Sequence, residues 1–71
     1  MSPDPSAVGR IGLLTHATRG PHGAGEVRIS IRGGSEIFLA WSDDPLPKGT
    51  TVLVVGSRGG RALDVVAWTD H

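Results

Sequence analysis

Residues 46–65 read Leu-Pro-Lys-Gly-Thr-Thr-Val-Leu-Val-Val-Gly-Ser-Arg-Gly-Gly-Arg-Ala-Leu-Asp-Val, which is the pattern of a β-hairpin. Val52 and Val54 recur at period two, as do Leu63 and Val65, so each pair lines one face of a strand. Between them, Ser57-Arg58-Gly59-Gly60 reads as the turn, since glycine takes positive φ without steric penalty. Pro45, Pro47 and Gly49 mark a loop that ends where the first of the two strands begins.

The same punctuation recurs outward from this hairpin. Eleven glycines and five prolines in 71 residues separate short apolar runs and do not gather into one linker. That spacing suits several short strands joined by tight turns. No window carries apolar residues at helical spacing without a glycine or proline inside it, so no helix is expected. Strands are expected at residues 8–18, 26–32, 36–42, 51–56 and 61–68, with Gly9 and Gly12 bending the first.

A two-residue turn at Gly33-Gly34 would pair Arg32 with Ser35, Ile29 with Phe38 and Val27 with Ala40, and opposite residues share a face. The core face then holds Val27, Ile29, Ile31, Phe38 and Ala40. The outer face holds Arg28, Ser30, Ile37, Leu39 and Trp41. A three-residue turn would reverse the third strand and bury Trp41. Five strands with a curled first strand imply an all-β fold, a small five-stranded barrel of the OB (oligonucleotide/oligosaccharide-binding) type. Closure would remove its exposed edges. No helix fits between strands three and four, so Leu46, held by Pro45 and Pro47, is the expected plug for that end. The barrel is expected over residues 8–71, behind a disordered tail at residues 1–7.

Composition narrows the function classes. A chain this short makes one domain with a thin core, burying about 60% of its unfolded surface. It has no cysteine, hence no disulfide and no thiolate zinc site, which fits a reducing compartment. Seven basic side chains balance seven acidic ones, so no global field draws nucleic acid or anionic lipid. The opening Met-Ser-Pro-Asp-Pro-Ser lacks the basic and apolar regions of a signal peptide. No apolar run approaches the roughly 20 residues that span a bilayer, so direct membrane insertion by this chain is not expected.

Read in order, the chain resembles the C-terminal domain of the NfeD family. The residues that carry the resemblance are Gly9 and Gly12, Gly25, then Val27 and Ile29, then Phe38, Ala40 and Ser42. Leu46, Lys48, Gly49 and Thr50 follow, then Val52 and Val54, a glycine at Gly59 or Gly60, and finally Leu63 and Val65. The resemblance implies an OB-like barrel and a partnership with a membrane-associated scaffold protein of the stomatin/flotillin type. It places the domain in the cytoplasm of a bacterial cell, at the inner face of the membrane through that partner. Typical members add transmembrane helices and longer ones a serine–lysine protease domain. Neither is seen in this sequence, so anchoring and proteolysis are not carried over.

No catalytic, cofactor-binding or metal site is expected. A zinc site needs three or four converging ligands, whereas His16 and His22 are separated by a glycine–proline loop and His71 is the last residue. Exposed, solvated histidines account for all three. None of Ser30, Ser35, Ser42 and Ser57 sits in a nucleophile-elbow context. Asp43-Asp44, before Pro45, reads as the end of strand three, since an oxygen-ligand site needs more donors. Both glycine pairs join strands, so neither cradles a phosphate at a helix start.

Two binding readings are left. One is a single-stranded nucleic-acid site, built from Arg28, Arg32, Arg58 and Arg61 with Trp41 and Trp68 as stacking platforms. The other, favoured, is a protein-binding face made of Ile37, Leu39 and Trp41 with Arg28 beside them, since tryptophan with arginine is a common interface anchor. Leu53 and Val55, on the non-core side of strand four, could widen that face. A covering loop, tail or neighbouring chain would account for the same pattern.

Overall fold

The alternation read from the sequence becomes five strands in the computed structural model, which describes residues 7–31 and 33–69. They are β1 (Ile11–His16), β2 (Gly25–Ile31), β3 (Gly34–Trp41), β4 (Thr51–Gly59) and β5 (Ala62–Ala67), with a 3-10 turn at Gly20–His22. They close into a barrel in the order β1-β2-β3-β5-β4. All neighbours are antiparallel except β3 and β5, which run parallel. This is the connectivity of an OB-type barrel, and residues 42–50, where a capping helix could sit, are a helix-free loop.

Every residue expected inside is inside. Val27, Ile29, Ile31, Phe38, Ala40, Val52, Val54, Leu63 and Val65 are buried and form one cluster with Leu14 and Ala7. Ala7, placed in the tail by its neighbours in sequence, is thus part of the core. The rest of that expected tail, residues 1–6, lies outside the described residues, as do Arg32 and His71.

The first hairpin differs from expectation in its register. The last β2–β3 pair is Ile31 with Gly34, and Val27 stands opposite Phe38. The connection therefore lies one residue earlier than Gly33-Gly34, at residues 32 and 33, and each pairing moves by two. A shift of two preserves the face of every side chain, which is why the inside–outside division survives.

The second hairpin departs in the other direction and turns later than expected. Its last pair is Gly59 with Ala62, so the turn is Gly60-Arg61, and both have positive φ, 59° and 61°. Positive φ at both central residues is the type I′ signature, whose twist matches the flanking strands. The extra length of β4 is taken up by two register irregularities, between Val54 and Gly56 and between Ser57 and Gly59. Bulges of this kind tighten strand curl at a barrel rim. In β1 the irregularity falls between Leu14 and His16, not at Gly9 or Gly12. Gly12 instead allows β1 to approach β2 closely, because a Cβ there would lie 2.6 Å from the Val27 side chain.

Leu46 packs against the core as expected. Its loop is fixed by a relay of hydroxyls. Leu46 N–H donates to Thr18 Oγ1 at 2.8 Å, Thr18 Oγ1 lies 2.6 Å from Ser42 Oγ, and the Ser42 hydroxyl donates to Asp44 O at 2.7 Å. With the Ser42 proton so used, Thr18 donates the middle link. Thr18 and Ser42 are both buried, so this relay satisfies groups that would otherwise be costly to enclose.

Candidate protein-interaction surface

The outer face of β3 is where the sequence points, and its geometry follows from the register. Odd-numbered β3 residues face out because Phe38 and Ala40 face in. Ile37 and Leu39 are accordingly exposed, at 42% and 46%. Arg28 stands directly opposite Ile37 on β2, also exposed, and Glu26 stands opposite Leu39. The four residues singled out, Arg28, Ile37, Leu39 and Trp41, thus share one face.

Trp41 is less open than its two apolar neighbours. It is half-buried, because the Arg58 guanidinium lies over its ring, 4.8 Å from the centroid. Arg58 is held there by Asp64, the β5 residue paired with Trp41, through an Nε–Oδ1 contact of 2.7 Å. Arg61, in the turn, stacks on Phe38 at 4.7 Å and donates from Nη2 to Ile37 O at 2.8 Å. No residue pattern signals these contacts. Arg58 and Arg61 read as turn residues until the two β4 bulges and the displaced turn bring them against β3.

Leu53 and Val55 do not widen this face. Leu53 pairs with Ile11 on β1 and with Val66 on β5, forming an apolar row on the β1–β4–β5 side. The Arg58–Asp64 pair lies between that row and Trp41. Leu13, Val55 and Trp68 are also exposed, and Leu13 stands opposite Arg28 on β2. A concavity of about 160 Å³ lies between the 42–46 loop and β5.

The other sequence candidates are dispersed. His16 lies 3.2 Å from Glu26 on the surface, and His22 is exposed in the 3-10 turn. Among the described residues no three His, Cys, Asp or Glu side chains gather as a metal site. No helix of the described residues is long and apolar enough to cross a membrane.

Fold and surface together define a small closed OB-like barrel with an apolar outer strand face. The family follows from comparison: residues 11–66 match the NfeD C-terminal domain, and the chain belongs to that family. Solved structures that resemble it over most of its length include the following two. One is the C-terminal domain of stomatin operon partner protein 1510-C from Pyrococcus horikoshii, with 27% identity over 90% of this chain and 91% of that one, at a TM-score of 0.66. The other is the soluble domain of the NfeD protein YuaF from Bacillus subtilis, with 34% identity over 89% of this chain and 75% of that one, at a TM-score of 0.73. No curated protein sequence matches the chain.

Proposed function

We propose that this domain is a non-enzymatic protein-interaction module whose partner is a membrane-associated scaffold protein of the stomatin/flotillin type. It would act in the cytoplasm, at the inner face of the membrane where that partner lies. The observation that carries the reading is the outer face of β3. Ile37 and Leu39 stand exposed side by side there, next to an arginine-capped tryptophan and an unsheathed Arg28. Large apolar residues with Trp and Arg are the usual makings of an interface anchor. The choice of partner is supported by family membership and by a structural neighbour named as a stomatin operon partner.

The nucleic-acid reading finds less support. Phe38 is buried, Trp41 lies under Arg58, and Arg58 is engaged by Asp64. Of the three aromatic rings only Trp68 is open for stacking, whereas single-strand binders use several such platforms along a basic groove.

The test is a titration of the domain with a stomatin-type protein encoded beside its gene. Trp41→Ala should weaken binding by about 2 kcal/mol or more, roughly 30-fold. Equal binding by wild type and variant would remove Trp41 from the interface, and no binding by either would remove the partner.

A further inference from the structure

β3 is eight residues long, but β5 pairs with it only from Leu39 to Trp41. Over residues 34–38, β3 is paired among the described residues on its β2 side alone. The directions of the backbone groups on the vacated side are fixed by two contacts. Leu39 N–H donates across to Arg61 O at 2.8 Å, and Ile37 O accepts from the Arg61 guanidinium. Strand groups repeat at period two, so Ser35 N–H and C=O and Ile37 N–H face the same open side. A strand edge with unpaired donors and acceptors is a template for another strand, and proteins usually guard it with charge. Here one arginine side chain is the guard, over the stretch where Ile37 and Leu39 stand exposed.

Deepening the interaction reading above, on which it rests for its biological partner, we infer that the domain binds by strand addition. An extended partner segment pairs with residues 34–38 of β3, along the line that β5 vacates. Backbone hydrogen bonds supply the attachment and alternate side chains the selectivity, as in other strand-addition modules. The charges at the edge state the chemistry of that segment. Arg28, opposite Ile37, and Arg61, on the edge itself, have no carboxylate partner among the described residues, while Arg58 is already neutralised by Asp64. The segment is therefore apolar at alternate positions, to cover Ile37 and Leu39, and carries a carboxylate for these arginines.

The probe is an acetylated, amidated peptide, Val-Thr-Glu-Thr-Val-Thr, whose glutamate shares a strand face with its valines, titrated into the isotopically labelled domain up to about 1 mM, where weak specific binding is still readable. The inference expects the Ser35 and Ile37 amides to shift and to gain protection from hydrogen exchange. Replacing Glu by Lys in the peptide should weaken binding about tenfold or more. Ser35→Pro should abolish binding while leaving the melting temperature close to wild type, because proline is tolerated where the N–H faces off the sheet. N-methylation of alternate peptide amides should abolish binding without touching the domain. Shifts confined to other strands, indifference to N-methylation, or no shift at Ser35 and Ile37 at the top concentration would each overturn the inference. The partner reading fails separately. A domain that binds this peptide but no stomatin-type protein keeps the edge and loses the partner, and one whose stomatin binding survives Ser35→Pro keeps the partner and loses the edge.

Discussion

Gly25 has no room for a side chain: a Cβ there would lie 2.4 Å from His16 O and 2.5 Å from Ala17 O. Backbone oxygens cannot swing aside, so the glycine lets the start of β2 pass under the end of β1. Gly34 is its counterpart, with the nearest atom 3.9 Å away and no positive φ. Gly25→Ala should therefore cost about 3 kcal/mol or more, and Gly34→Ala should fall within about 0.5 kcal/mol of wild type, both read from denaturant midpoints. Arg61 is the residue that sequence reading placed least well. It holds a left-handed conformation that favours glycine, and it offsets that strain by stacking on Phe38 and bonding Ile37 O. Removing the side chain leaves the strain without the contacts, so Arg61→Ala should destabilise by about 1 kcal/mol, or about 4–8 °C in melting temperature. No residue pattern announces such a site, because its worth lies in contacts made only after the turn has moved.

At the scale of the elements, period-two alternation was enough to divide inside from outside. It could not place the turns, because alternation is unchanged by a register shift of two. Hence Phe38 and Ala40 were legible as core, and Ile37 and Leu39 as surface, while the hairpin connection fell one residue early. In β4 the two bulges break the alternation after Val54, and that is where the reading stopped being accurate. It placed the turn too soon and missed Arg58 as the cap on Trp41. Val54 and Leu63 are each about 1% exposed. Val54→Ala or Leu63→Ala should cost about 2–4 kcal/mol, most of the stability of a domain this small. A variant melting like wild type would contradict the core assignment. The hydroxyl relay that ties the 42–46 loop to the barrel end gives a milder test. Thr18→Val keeps the shape but strands Leu46 N–H, and should cost about 1–3 kcal/mol.

For the molecule as a whole, closure of five strands leaves little flat surface, and two outer faces carry neighbouring apolar side chains. One is β3, with its arginines. The other is the Ile11–Leu53–Val66 row, which the sequence could not assemble because it joins three strands far apart in the chain. The balance of seven basic and seven acidic residues leaves no net field to drive phosphate binding. Anisotropy titration with single-stranded DNA at physiological salt should stay flat to about 100 μM, where non-specific electrostatic binding begins. The central claim, that the β3 face is the partner-binding face, is tested most directly by mapping amide shifts of the labelled domain as a stomatin-type scaffold protein is added. The account predicts perturbations centred on Arg28, Ile37, Leu39 and Trp41. Perturbations confined to the Ile11–Leu53–Val66 face, with β3 unmoved, would contradict it.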